Sequence, residues 1–177
     1  HYALPALTSG SYNTALGALT LQANTTGFDN VAIGTLALNT NVTKGQTTAV
    51  GYRAMEFANS AAGGGITYNT AIGALALQGS AAAASNTGTE NTALGHSTLM
   101  ANTSGSDNVA IGKEALKANT TASDNTAIGE SAMLANTTGA MNTAMGSNAL
   151  YQNIGGSANV AVGDIALGST TASGNTA

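Results

Sequence analysis

The chain has 177 residues, of which only 7% are charged and 4% aromatic, with 23 glycines, a single proline (Pro5) and no cysteine. A dispersed net charge of -4 excludes the basic footprint of a nucleic-acid binder, and the lack of cysteine excludes a disulfide framework or a thiolate metal centre. No apolar run approaches the roughly 20 residues of a membrane-spanning helix.

The chain opens on His1, Tyr2, Ala3 and Leu4, a pattern x-x-Ala-Leu that later follows each copy of a short motif, with Thr for the Ala at Thr20 and Thr98 and Met for the Leu at Met55 and Met133. That motif reads Asp107 to Gly112, DNVAIG, in its clearest form. Its Asn position falls at Asn13, Asn30, Thr47 (a substitution), Asn69, Asn91, Asn108, Asn125, Asn142 and Asn159. A tenth copy begins at Asn175 and stops at Ala177. Successive copies lie 17 residues apart, apart from two steps of 22 and a last step of 16. Such a period marks a stack of like units, each contacting its neighbours. The opening phase and the truncated tenth copy read as a window on a longer array, so that residues 1–177 form a single repeat domain.

Within one copy, the motif Ala (Ala15 to Ala161) and Gly (Gly17 to Gly163) are present in all nine complete units. Thr or Val precedes the Ala, and Leu, Ile, Val or Met follows it. β-Branched residues closed by glycine read as a short strand. A second segment carries Leu21, Leu38, Met55, Leu77, Leu99, Leu116, Met133, Leu150 and Leu167. A third, Asn-Thr-Thr-Gly or a variant (Asn24 to Gly27, Asn102 to Gly105, Asn136 to Gly139), reads as a corner, because Asn and Gly tolerate a left-handed backbone. Recurrent glycine and Asn-Thr pairs exclude long helices.

The expected fold is therefore all-β: a parallel β-solenoid of about ten 17-residue coils with rungs about 4.8 Å apart. Ala110, Ile111, Gly112, Leu116 and Asn119 define one coil of its ladder. Asn102, Asn119 and Asn136 should bond side chain to side chain along the stack. The aliphatic residues of both columns are expected to point inward. The motif Ala then either faces outward and lets another chain approach, or fills a narrow interior corner. The long coils should shed their extra residues as protruding loops at 59–67 and 79–89, adjacent on one edge.

The motif DNVAIG and its variants resemble the head repeats of YadA-type trimeric autotransporter adhesins. They are also similar to the NTAIG repeats of bacteriophage tail-fibre proteins. The resemblance spans most of the chain, although the 17-residue period is longer than is usual for the adhesin head. It implies a left-handed β-roll, three chains side by side in a homotrimer, and an extracellular, cell-surface or virion location.

Chemistry-bearing residues are few. His96 occupies a variable position after a motif Gly, where a surface role is expected. Asp29, Glu90, Asp107 and Asp124 share one column, either as solvated turn residues or as a site attractive to a cation. No catalytic, cofactor or metal constellation emerges, and an enzyme is not expected. Five sequons, at Asn24, Asn41, Asn102, Asn119 and Asn136, are glycosylation acceptors in form, although the repeat generates Asn-Thr-Thr for structural reasons too. The expected function is a structural segment of an extracellular fibre or filament: a tail fibre, surface adhesin or secreted filament. Its partners would be copies of itself, side by side and by head-to-tail stacking, and a cell-surface receptor or glycan. The alternative is an ice-binding β-solenoid.

Overall fold

A computed structural model describes residues 2–58, 63–82 and 85–177. Nine three-residue strands are cut from the motif: β1 (Thr14–Leu16), β2 (Val31–Ile33), β4 (Thr48–Val50), β6 (Thr70–Ile72), β7 (Thr92–Leu94), β8 (Val109–Ile111), β9 (Thr126–Ile128), β10 (Thr143–Met145) and β11 (Val160–Val162). They form one nine-stranded parallel sheet in chain order. Two shorter strands, β3 (Lys44–Gly45) and β5 (Gly65–Ile66), pair in parallel beside it. The molecule is a parallel β-solenoid, and among the described residues no helix is long and apolar enough to cross a membrane.

Register is the same at every step. Ala110 lies opposite Ala93 and Ala127, and Ile111 opposite Leu94 and Ile128. The pairing passes through both long coils unchanged, Thr48 to Thr70 to Thr92. Beyond the strands the ladder continues around the coil. Gly129 N donates to Ile111 O at 2.8 Å, Ser131 N to Lys113 O at 2.9 Å, Leu116 N to Ala132 O at 3.0 Å and Ala118 N to Leu134 O at 3.1 Å. Backbone groups that would be costly to bury unpaired thus find partners one coil away.

The interior is thin and made of few residue types. The motif Ala, the Ala or Thr preceding the second-segment Leu, and that Leu or Met itself fill it. Where Thr replaces Ala inside, its hydroxyl is satisfied: Thr20 Oγ1 donates to Gly34 O at 2.8 Å, and Thr98 Oγ1 to Gly112 O at 2.7 Å.

Three of these placements revise the sequence reading. The motif Ala, not the aliphatic residue after it, points inward: Ala32, Ala49, Ala71, Ala110, Ala127, Ala144 and Ala161 have no exposed surface. Ile111 and its equivalents lie on the outer face with the Thr or Val two residues earlier, because side chains alternate along a strand. Secondly, the excursion in the first long coil ends before residue 67, since Gly65 and Ile66 pair with Lys44 and Gly45 and Thr67 is buried. Thirdly, residues 79–89 do not leave the stack as a whole. Gly79 N donates to Met100 O, Thr87 N and Gly88 N donate to Thr103 O, and Asn86 is buried. Positions 59–62 and 83–84 of the two expected loops lie outside the described residues.

Each coil turns its corners with left-handed residues. The residue before the motif Asn (Asp107, φ 57°; Asp124, φ 60°; Met141, φ 58°) is one such position. Two more lie in the second segment, among them the buried Leu116 (φ 50°) and Met133 (φ 53°). A left-handed backbone costs a side-chain-bearing residue about 1–2 kcal/mol. Full burial of a Leu or Met returns about 1.5–3 kcal/mol, so at Leu116 burial outweighs strain. Met141 is exposed and has no such offset. Met141→Asn should therefore stabilise the chain by about 1 kcal/mol, read as an upward shift of about 2–4 °C in a thermal melt.

Candidate functional site

Two features dominate the described residues: a pair of buried asparagine columns and an exposed aliphatic column. In the first asparagine column the motif Asn side chain points inward. Asn108 Nδ2 donates to Asn91 Oδ1 at 3.0 Å and to Ala122 O at 2.9 Å. Asn108 Oδ1 accepts from the backbone N of Asn125 at 3.1 Å and from its Nδ2 at 3.2 Å. The pattern repeats to Asn142, Asn159 and Asn175. It also joins Asn13 to Asn30, and at the substitution Thr47 N still donates to Asn30 Oδ1 at 3.2 Å. There the Thr47 hydroxyl meets that of Thr67 at 2.7 Å.

The second column is built from the corner asparagines. Asn119 Nδ2 donates to Asn102 Oδ1 at 2.9 Å and to Ala122 O at 3.0 Å. Asn136 Nδ2 donates to Asn119 Oδ1 at 3.2 Å, and Asn153 Nδ2 to Asn136 Oδ1 at 3.1 Å. Asn24 and Asn41 form a separate pair, with Asn41 Nδ2 at 3.3 Å from Asn24 Oδ1. Between the two runs stand Ala58 and Ser80. Asn86 enters this gap from the longer coil, its Nδ2 donating to Phe57 O at 2.8 Å and its Oδ1 accepting from Ser80 N at 2.9 Å.

These columns settle the place of the five sequons. Asn24, Asn41, Asn119 and Asn136 are fully buried and Asn102 nearly so. Each amide nitrogen that a glycan would occupy already donates a hydrogen bond inside the coil. A glycan there would need the coil opened, so the folded chain offers none of them for glycosylation. Asn119→Ala should cost roughly 2 kcal/mol, since it orphans Asn102 Oδ1 and one Asn136 hydrogen at about 1 kcal/mol or more each, while Ala122 O keeps its bond from Asn108 Nδ2. Asn153→Ala should cost clearly less, because Asn153 Oδ1 has no partner among the described residues. Denaturant midpoints of the two variants measure the difference.

The outer face of the nine-stranded sheet carries an aliphatic column. Leu16, Ile72, Leu94, Met145 and Val162 are exposed there, and Ile33, Val50, Ile111 and Ile128 are half-buried by their vertical neighbours. Beside them runs the column Thr14, Val31, Thr48, Thr70, Thr92, Val109, Thr126, Thr143, Val160. Sequence reading placed the aliphatic column inside and so missed this face. One signal pointed the other way. Ala is invariant from unit to unit while Leu, Ile, Val and Met interchange freely, and a close-packed interior tolerates the first pattern far better than the second.

Charged residues form surface pairs. Lys113 Nζ lies 3.0 Å from Glu130 Oε1, and the hydrogen bond and charge of Glu130 raise the Lys113 pKa. Lys117 Nζ lies 2.9 Å from Glu114 Oε1, and this hydrogen bond lowers the Glu114 pKa. Arg53 stacks over the Tyr52 ring at 5.4 Å and stands 3.6 Å from Glu56, whose Oε2 accepts from Gln78 Nε2 at 2.9 Å. His96 is exposed, with Nε2 3.5 Å from its neighbour Ser97 Oγ. Asp29, Glu90, Asp107 and Asp124 stand exposed on one corner. Among the described residues no three His, Cys, Asp or Glu side chains converge on a point that would hold a metal ion.

No family model matches the chain, and no curated protein or solved structure does.

Proposed function

We propose that this chain is a non-enzymatic structural rod that assembles with copies of itself through the outer face of its nine-stranded sheet, as part of an extracellular fibre. The observation that carries the reading is the aliphatic column Leu16 to Val162, exposed on a face whose rungs repeat without interruption. A partner that matches such a face residue for residue needs the same spacing of about 4.8 Å along its whole length, and a second copy of the chain has it. The magnitudes agree. If each of nine half-exposed aliphatic residues gains about 1 kcal/mol on full burial, the face yields roughly 9 kcal/mol, comparable to the 4–15 kcal/mol cost of association. The resemblance to adhesin and tail-fibre repeats favours three copies.

The double variant Ile111→Glu with Ile128→Glu tests the assembly. Each glutamate lands on an outer face, so the single chain should keep its β-type far-ultraviolet spectrum. The sedimenting mass should fall from about three chains to one, because unpaired charges in an interface cost several kcal/mol. An unchanged mass sinks the proposed interface.

The same face also carries six threonines in its second column, the feature that an ice-binding reading would use. Valines at three positions break that column. Thermal hysteresis by the purified chain would favour ice binding, and the fibre reading expects none.

A further inference from the structure

We infer that the gap in the second asparagine column holds one ordered water molecule, which carries the hydrogen-bonded column from Asn86 to Asn102. The argument is a count of hydrogens. Asn119, Asn136 and Asn153 each spend one Nδ2 hydrogen on a carbonyl three residues ahead and the other on the asparagine one coil before. Asn102 makes only the first of these bonds, to Gly105 O at 2.9 Å. One coil before it, Ser80 stands at the equivalent position, and among the described residues no amide oxygen takes the second hydrogen.

A cavity lies at that place. It is lined by Ala58, Asn69, Leu77, Asn86, Gly88, Asn102 and Thr103, and gives the centre of a water molecule about 10 Å³ of room. That is about the room one water requires, and a buried water also needs two to four polar partners. The Asn102 amide supplies a donor. Asn86 and Gly88 belong to the same lining, and a carbonyl or amide oxygen has two acceptor positions, of which Gly88 O spends one on Asn69 Nδ2 and Asn86 Oδ1 one on Ser80 N. Ala58 and Leu77 close the apolar side. A wholly apolar space of this size would stay dry, but one bordered by a buried amide with an unspent hydrogen does not.

A crystal structure at about 1.8 Å or better tests the inference. A single density peak at hydrogen-bond distance from Asn102 Nδ2 supports it, and an empty cavity overturns it. Two substitutions give an independent sign. Ala58→Val fills the space with a methyl-bearing side chain and displaces the water, leaving the Asn102 hydrogen without an acceptor. The melting temperature should fall by roughly 3–8 °C. Ala58→Ser puts a hydroxyl where the water stood and should melt within about 2 °C of the parent. In a dry cavity the order reverses, with valine stabilising by filling space and serine destabilising, and that result overturns the inference.

Discussion

Glutamate in place of both Ala110 and Ala127 should leave no folded solenoid. Both alanines are fully buried in the thin interior, stacked on successive rungs with no charged partner beside them. An isolated buried carboxylate costs many kcal/mol as an ion, and even protonated it demands hydrogen bonds that the apolar wall lacks. Two such groups about 4.8 Å apart would also repel. The expected loss exceeds about 5 kcal/mol, at or beyond the lower range of whole-protein stability. A far-ultraviolet spectrum without β signal is the expected readout. A folded double variant would mean that the motif alanines do not face inward. The contrast with Ile111→Glu and Ile128→Glu, one position along the same strands, is the sharpest test of which face is which.

The second large effect is expected at Gly129. Its φ of 135° lies where L side chains are strained, and a Cβ built there would meet Gly146 O and C of the next coil, both backbone atoms. Neither can yield without breaking the ladder. Gly129→Ala should cost at least about 3 kcal/mol, the upper end for backbone strain alone, and the steric clash adds to it. Two other glycines dissect that cost. Gly63 has a φ of 103° and no atom within 4 Å of where a Cβ would stand, so Gly63→Ala reports strain without contact. Gly64 has neither strain nor a neighbour, so Gly64→Ala should be neutral or stabilising by about 0.4–1 kcal/mol. Equal losses at all three positions would remove the steric argument.

Much of the architecture is legible in the residues. The period fixes the coil, and the Asn of each corner implies a column of amides, because identical side chains one coil apart are forced together at ladder spacing. Leu116 and its equivalents are inside, as their regular phase indicates. The strand faces were harder. In a three-residue strand the two faces differ only in having one side chain or two, and period alone does not say which is inner. Hydrophobicity favours the larger residue, whereas the narrow coil has room only for alanine. The aliphatic residue is therefore displaced outward to the surface now proposed for self-assembly. The sequons were left with two roles, as glycan acceptors in form and as products of the repeat, because Asn-Thr-Thr by itself does not say whether its amide is buried, and that depends on the neighbouring coil. The long coils illustrate a third limit. Counting residues locates an excess of five but not which ones remain paired, and β5 retains Gly65 and Ile66 through contacts to Lys44 and Gly45 that no local signal announces.

The direction of the ladder has a mechanical meaning. The backbone hydrogen bonds between successive parallel strands run along the stacking direction, while the covalent chain runs around it. Compression and bending load the packed coils together, but axial tension on a single chain loads one rung's bonds after another, as a zipper does. Each coil that gives way replaces about 4.8 Å of stack with 17 residues of chain, roughly 60 Å when extended. A rod of this kind lengthens more than tenfold per yielded unit without rupture of the polypeptide. In the proposed assembly, lateral association would then govern strength, since neighbouring chains would have to be peeled apart before any of them could unwind.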